Sequence, residues 1–458
     1  MSSEGSQAYS PVRAGPGTRR QGFDVSTHAR ETDPLNIWIV NQYAIPPSQP
    51  GITRHFSFAA ALNQRGHDVT LIASSFDHVT RKETRLSPGE LSRPETIGGV
   101  RFLWLRTPPY EGNSTRRVWN MLVFASRLWR RRGLQELTPP NVIVGSSPHL
   151  FGAFAAWRLA RAFGVPFVLE VRDLWPETLV ELGSVRPDHP VVRVLAWIER
   201  TLYRNAAQII TLWPNSPPYI AARGGHPDRI VWIPNGVALQ EIHAQPPGTP
   251  SGALTVMYLG AHGLANSLHT IVDAAALLQS EGYADKVRFR FIGDGPNKSD
   301  LIRQAQRAGL DGMVRFEAPV PKQSVDNMMA EADVFILPLH RGNLFRWGMS
   351  PNKLFDYMAA ARPVVTAVDA SSNPVVEAGA GLSVPAADAA AVAKAIKTVI
   401  ALSPQERWEM GLRGRRYVET GHDMARLAER FEACLHSAVT GDRIATDTGS
   451  LSAKTSDG

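Results

Sequence analysis

Residues 350–365 read Ser-Pro-Asn-Lys-Leu-Phe-Asp-Tyr-Met-Ala-Ala-Ala-Arg-Pro-Val-Val. Pro351 opens a helix, Lys353 sits in its first turn, and Asp356 follows about one turn later. The helix runs through small and apolar residues into a strand that begins at Pro363. A helix feeding a continuous apolar strand is the repeating unit of a parallel α/β sheet. The unpaired N–H groups and partial positive charge of the helix start attract phosphate, and Lys353 adds a full cation. Asp356, three residues on and near the same face, can accept hydrogen bonds from a diol such as a ribose. Phosphate clamp and hydroxyl acceptor together point to a nucleotide diphosphate ligand.

The alternation extends outward. Strand-length apolar runs at residues 35–40, 68–73, 142–145, 166–171, 208–212 and 230–233 are separated by helical patterns, the first over 56–63. A second series begins at 254–259 and continues at 287–292, 314–316, 334–337 and 363–368. Between them residues 244–252, Ala-Gln-Pro-Pro-Gly-Thr-Pro-Ser-Gly, have the composition of a linker. The pattern predicts two doubly wound, Rossmann-like α/β domains, 35–243 and 253–420, facing each other across a cleft, with ligands at the carboxyl ends of strands. One or two helices over 403–439 close the fold, and 1–34 and 440–458 read as a disordered leader and tail.

Composition narrows the function. The 458 residues suffice for two domains, and 43% apolar with 20% charged residues is the balance of a soluble globular chain. Cys434 is the one cysteine, so no intrachain disulfide forms, which fits a reducing cytosol. A net charge of +7 suits an anionic membrane, a phosphorylated substrate or nucleic acid. No apolar run of about 18 residues is present, so no spanning helix is expected. No Cys/His cluster, His-Glu-x-x-His, Walker loop or Asp-x-Asp pair occurs, so no metal is expected.

Further segments carry chemistry. The loop after the first strand ends at Gly51, where backbone can approach a phosphate, and His55 follows. Residues 170–177, Glu-Val-Arg-Asp-Leu-Trp-Pro-Glu, crowd charges at the end of an apolar strand, where they are costly in a core and useful in a cleft. Asp173 there can take or orient a hydroxyl proton, or cap the next helix. Glycine-rich turns follow the strands at 254–259 and 287–292; the second, Gly293-Asp294-Gly295, is no dinucleotide fingerprint without a third glycine. In 116–132, Val118, Met121, Leu122, Ala125, Leu128 and Trp129 share a helical face, with Arg117, Arg127, Arg130 and Arg131 mostly elsewhere. Tryptophan and arginine on such a helix suit a membrane interface, and equally a helix docked on its own sheet with a solvated basic end.

The 350–365 stretch resembles the donor-binding segment of retaining family-four glycosyltransferases of the two-domain GT-B fold. It looks most like the bacterial cell-surface polysaccharide branch (O-antigen or capsule type), where Pro-Ser-Lys-Leu-Phe-Glu-Tyr-Met is typical; here Asn352 replaces the Ser and Asp356 the Glu. Gly348 stands where the wider pattern has a Glu. Gly51-Ile-Thr-Arg-His55 resembles the family's Gly-Val-x-x-His, with Pro50 in place of a preceding glycine, and 172–176 resemble His-Asp-Leu-Trp-Pro with Arg172 for His. The resemblance covers residues 35–438. It implies a catalytic Asp173, donor contacts from Gly51, His262, Gly263, Gly293, Gly295, Val320, Asn352, Lys353, Leu354 and Asp356, and acceptor contacts from His55 and Arg172. Relatives place an Arg and a Lys where Ala261 and Asn266 fall here, so Lys353 gains importance. The last helix, 421–439, would cross back to the first domain. The implied activity is retaining, metal-independent hexosyl transfer from a nucleotide diphosphate sugar, UDP-linked, to a hydroxyl of a lipid-linked saccharide or similar acceptor. It would serve polysaccharide biosynthesis in the cytoplasm, the enzyme being peripheral at the inner membrane surface through 116–132. No cofactor beyond the nucleotide-sugar co-substrate is implied. The rivals are a nucleotide-sugar epimerase of the same fold and a basic nucleic-acid-binding protein, for which no recognised motif is present.

Overall fold

The computed structural model describes residues 33–49, 51–112, 115–246, 252–321 and 324–442. The expected leader up to residue 32, Pro50, linker residues 247–251 and the tail from 443 lie outside the described residues.

The apolar runs of the N-terminal half become buried strands. They are β1 (Asn36–Val40), β2 (Asp68–Ser74), the small hairpin β3 (Phe76–Asp77) and β4 (Lys82–Glu83), β5 (Ser92–Ile97), β6 (Val100–Leu105), β7 (Val142–Ser146), β8 (Phe167–Val171), β9 (Gln208–Thr211) and β10 (Ile230–Trp232). The helices are α1 (Arg54–Gln64), α2 (Thr115–Trp129), α3 (Leu150–Phe163), α4 (Glu177–Glu181), α5 (Pro190–Asn205) and α6 (Pro217–Ala222). The eight-stranded sheet runs β10-β9-β8-β7-β1-β2-β6-β5, parallel except for β5. The chain moves from β1 towards one edge, then returns to β7 on the other side of β1, so the winding reverses between β1 and β7. In such sheets the crevice outside the carboxyl ends of those two strands is where ligands bind.

The C-terminal half repeats the plan with β11 (Leu254–Leu259), β12 (Val287–Ile292), β13 (Val314–Glu317), β14 (Val334–Pro338), β15 (Val364–Ala367) and β16 (Gly381–Val384). Its helices are α7 (Leu268–Ser280), α8 (Lys298–Arg307), α9 (Val325–Ala330), α10 (Asn352–Ala359), α11 (Pro374–Glu377), α12 (Ala389–Ala401), α13 (Pro404–Gly421) and α14 (Met424–Thr440). The all-parallel order β13-β12-β11-β14-β15-β16 reverses between β11 and β14. Each sheet carries apolar clusters on both faces, as a doubly wound sheet requires. The last helix, α14, packs on the N-terminal half: Phe431 stacks on Phe58 of α1 at 4.7 Å, and Glu432 pairs with Arg65 (2.6 Å) and His67 (2.7 Å).

Two features depart from the sequence expectations. The β5–β6 edge was not anticipated, although its two-residue loop is Gly98-Gly99 with φ of +53° and +77°. Both values are positive, as a primed hairpin turn demands, so the local signal existed. The helix over 116–132 does not present one apolar face to one environment. Asn120, Met121, Phe124 and Leu128 are buried, whereas Val118, Trp119, Leu122 and Trp129 are 40–60% exposed. The helix is both an internal packing element and a bearer of outward apolar side chains.

Candidate active site

In the C-terminal half the site starts from two loops at the carboxyl edge of the sheet. The loops after β11 and β12 are stitched together: His262 N–H donates to Asp294 O (2.8 Å) and Asn297 N–H to His262 O (3.0 Å). A Cβ on Gly293 would lie 2.0 Å from Gly260 O, and one on Gly295 2.6 Å from His262 O. Only glycine permits this close approach of backbone to backbone. Gly293 and Gly295 thus pack the two loops together. His262 also departs from expectation. Its side chain is fully buried between Tyr258 and Phe316, and neither ring nitrogen has a hydrogen-bond partner. Burial, helped by Lys298, pushes its pKa down to about 4, so the ring is neutral. Gly263 stays at the surface, with open space around its Cα.

Helix α10 brings the cation to these loops. Lys353 Nζ donates to Tyr258 Oη (2.7 Å) and Asn266 Oδ1 (3.1 Å), and lies 4.5 Å from the Tyr258 ring centroid. Its position against β11 is set by Tyr357, whose Oη donates to Leu259 O and accepts from Leu259 N–H, both at 2.9 Å. Burial lowers the Lys353 pKa to about 8, against the pull of Asp356. A half-desolvated ammonium is poised to gain from an anion. Asp356 and Asn352 are half-buried on the same helix, and Val320 is half-buried against the core. Leu354 corrects another expectation: its side chain is fully buried, and its N–H is already bonded to Pro351 O (3.1 Å). Tyr258, not singled out from the sequence, is the missed member of this site.

The stretch before α10 clasps the N-terminal half. Asn215 N–H donates to Trp347 O (3.1 Å), Asn235 Nδ2 to Ser350 O (2.6 Å), and Arg346 pairs with Glu177 of α4. Gly348 has φ +92°, and a Cβ there would sit 2.6 Å from Pro214 Cγ. The family's glutamate therefore has no room at this position.

Across the interface lies the Arg172-Asp173 turn after β8, tied down by Trp213 Nε1 donating to Arg172 O (2.9 Å). Asp173 is half-buried; burial raises its carboxyl pKa and Arg172 opposes this. The capping alternative loses its basis, because α4 has Pro176 as its N-cap and no side-chain cap. Glu170 is not a cleft residue. It is wholly buried, accepts from Arg54 Nε (2.8 Å) and Ser146 Oγ (2.6 Å), and meets His55 Nε2 at 2.8 Å. Burial alone would raise its pKa, but Arg54 and His55 hold it well below the usual carboxylate range. His55, expected at the acceptor, is 2% exposed and locked into this group, so it positions the strand ends rather than touching a ligand. Gly51 lies in the exposed loop before α1.

Among the described residues, His67, Glu432 and His436 place possible metal-ligand atoms within 4.8 Å of one another. His67 Nδ1 accepts from Leu35 N–H (3.0 Å), so Nε2 carries the proton that faces Glu432 and offers a metal no lone pair. The group is a clasp for α14.

Comparison with known proteins gives this architecture its relatives. Residues 51–236 match the model of a glycosyl transferase 4-like domain, and 253–401 that of glycosyl transferases group 1. WbjE of Pseudomonas aeruginosa, named a probable glycosyltransferase, is 24% identical over 318 residues, 66% of this chain and 76% of its own. WcaL of Escherichia coli (strain K12), named for colanic acid biosynthesis, is 29% identical over 189 residues, 41% of this chain and 46% of its own. The Anabaena protein Alr3699/HepE, solved with UDP and glucose, superposes with a TM-score of 0.62 at 15% identity, covering 88% of this chain and 100% of that one. With both halves matched and both sheets wound alike, the chain belongs to the glycosyltransferases of the GT-B fold.

Proposed function

We propose that the protein is a retaining, metal-independent hexosyltransferase that uses a UDP-sugar and a lipid-linked saccharide in cell-surface polysaccharide synthesis. The observation that carries this reading is the Lys353–Tyr258–Asn266 cluster at the second switch point. Lys353 meets the diphosphate and offsets the charge that develops on the leaving group, which is the main electrostatic demand of the reaction. Asp356 accepts from the ribose hydroxyls. Asp173 orients the acceptor hydroxyl and takes up its proton as the new glycosidic bond forms. Retention follows when that hydroxyl attacks from the face the diphosphate leaves. The name of WcaL and the UDP complex of HepE agree with polysaccharide synthesis and a UDP donor.

The test is a thermal-shift panel of UDP, GDP and dTDP sugars, followed by NMR of the product anomer. A donor at 100 times its Kd stabilises the fold by about 2.7 kcal/mol through mass action. UDP-sugars are expected to give the largest shift, and the product to keep the donor's anomeric configuration. Equal shifts for all bases would remove the UDP assignment, and an inverted anomer the retaining one. Epimer formed from UDP-N-acetylglucosamine alone would replace the transferase by an epimerase.

The exposed apolar residues supply a docking face for an anionic bilayer. No helix among the described residues is long and apolar enough to cross a membrane. Val118, Leu122 and Trp129 of α2 form an outward stripe, and Val191, Val194 and Trp197 of α5 are 43–57% exposed. Helix α3 packs between these two helices: Phe154 meets Trp197 at 5.7 Å, and Arg158 lies over Trp129 at 5.0 Å. Arg127 has its pKa lowered by burial and by the like charges of Arg106, Arg132 and Arg130, a crowding that an anionic surface relieves. Each such arginine contributes about 1 kcal/mol at a charged leaflet. The parent should co-sediment with anionic liposomes at low salt and be released as salt rises. Replacing Arg127, Arg130, Arg131 and Arg132 with Gln should abolish co-sedimentation; a parent protein that ignores anionic liposomes removes the membrane role.

A further inference from the structure

The segment that leads into α10 reaches the turn carrying Asp173 in the other half of the molecule. It forms a short 3-10 turn, Asn343–Trp347, after β14. Arg346 pairs with Glu177, the first residue of α4, and the Trp347 ring stands edge-on to Tyr219 of α6 at 5.3 Å. Behind these contacts lies a seat that the transfer step leaves unused. Glu199 of α5 is 1% exposed and accepts from Tyr219 Oη (3.0 Å). The Arg223 guanidinium covers the Tyr219 ring at 3.6 Å, with Nε 3.5 Å from Glu199 Oε2 and Nη2 3.7 Å from Glu177 Oε2. Glu177 thus takes Arg346 on one oxygen and Arg223 on the other. The same segment meets the neighbouring turn. Trp213, which donates to Arg172 O, is followed by Pro214 against Gly348 and by Asn215, whose N–H donates to Trp347 O (3.1 Å).

We infer that Arg346 is a positioning residue for Asp173, acting through Glu177. It rests on the glycosyltransferase reading, in which Asp173 takes up the acceptor proton. The Asp173 turn and α4 move as one unit, because Trp175 N–H donates to Asp173 O (3.0 Å) and Thr178 N–H to Leu174 O (2.9 Å). Whatever orients Glu177 therefore orients Asp173. A guanidinium fork fixes a carboxylate in direction as well as in distance. Glu199 holds Tyr219 and Arg223 in place, so the seat stays in shape around Glu177. Arg346 itself is half exposed, and such a pair adds little to the stability of the fold. Its effect lies in geometry, where a shift of about 1 Å at the reacting groups costs about 100-fold in rate. Arg346 and Lys353 stand on one short stretch of chain, so the stretch that holds the donor cation also sets the acceptor-side carboxylate.

The experiment follows release of UDP from UDP-glucose and UDP-N-acetylglucosamine by the full chain, with water as acceptor. Arg346→Gln and Glu177→Gln should each slow release by about tenfold to 100-fold. UDP affinity by calorimetry should stay within about twofold, and the melting temperature near that of the parent. Arg346→Lys, which keeps the charge and loses the fork, should fall between Arg346→Gln and the parent. In an Asp173→Asn background, Arg346→Gln should cost less than about twofold more, because nothing is left for it to position. A loss that multiplies in full in that background overturns the proposal, as does a rate for Arg346→Gln within about twofold of the parent. A fall in UDP affinity that matches the fall in rate also overturns it, since the segment then acts on the donor through Lys353. Hydrogen exchange decides where hydrolysis is too slow to follow. Amides of residues 174–182 should exchange about twofold to fivefold faster in Arg346→Gln than in the parent. If exchange there is unchanged while UDP still binds, the proposal falls and the glycosyltransferase reading stands. If the parent binds no UDP, that reading falls and the role at Asp173 with it.

Discussion

Replacing Lys353 with alanine is expected to weaken UDP binding by about 10- to 100-fold, the worth of a charge-assisted hydrogen bond of about 1.5–3 kcal/mol. The loss should be this large because no second cation replaces it at the β11 loop. Ala261 and Asn266 occupy that loop, and Asn266 presents its carbonyl oxygen to Lys353 rather than a charge of its own to phosphate. Lys298 is near but donates to Gly293 O and Glu317 O, both at 2.7 Å. Turnover should fall together with affinity. A pH series sharpens the test. Lys353 titrates near pH 8 in the unliganded protein because burial disfavours its charged form. Only that form attracts phosphate, so UDP affinity of the parent should decline as pH rises through about 8. The variant should lack this decline. Unchanged UDP affinity by calorimetry would take Lys353 out of the phosphate site.

Asp173→Asn should lower turnover by about 100-fold or more, the usual worth of a positioned acid–base group, while leaving UDP affinity within about twofold. The amide keeps the shape of the carboxylate. Because α4 has no side-chain cap, the substitution should also leave the melting temperature near that of the parent. The carboxylate is the competent form, and burial raises its pKa despite Arg172. Turnover of the parent should therefore rise with pH through that raised pKa, and the variant should lose this acid limb. Near-normal turnover would exclude Asp173 from the reaction. A matching loss of UDP affinity would move it to the donor side.

Much of this protein follows from short stretches of sequence. The helix–strand run at 350–365 became α10 and β15, and the two series of apolar runs became two doubly wound sheets. Continuous apolar runs between helical patterns are compatible with few alternatives, because a strand without polar alternation must be covered on both faces. Lys353 and Asp356 stand out as candidate ligand groups for the same local reason, a helix start with a cation and a carboxylate spaced by one turn. The hairpin at Gly98-Gly99 carries an equally local signal, but its first strand, Ser92–Ile97, mixes polar with apolar residues and lacks the continuous apolar character of the others.

The tertiary structure decided which polar residues face the cleft and which neutralise one another in the core. Glu170, Arg172 and Asp173 are adjacent in sequence and look alike there. Glu170 is enclosed because Arg54, 116 residues away, supplies the charge that makes its burial tolerable. His55 is drawn into the same group, from 115 residues away. Lys353 finds its partners in Tyr258 and Asn266, 95 and 87 residues distant. A residue's propensity and the period of its neighbours are properties of the chain nearby, so sequence determined the elements and their order. Burial and charge compensation depend on groups brought together only when the sheets form, so the roles of individual polar side chains were settled by the fold.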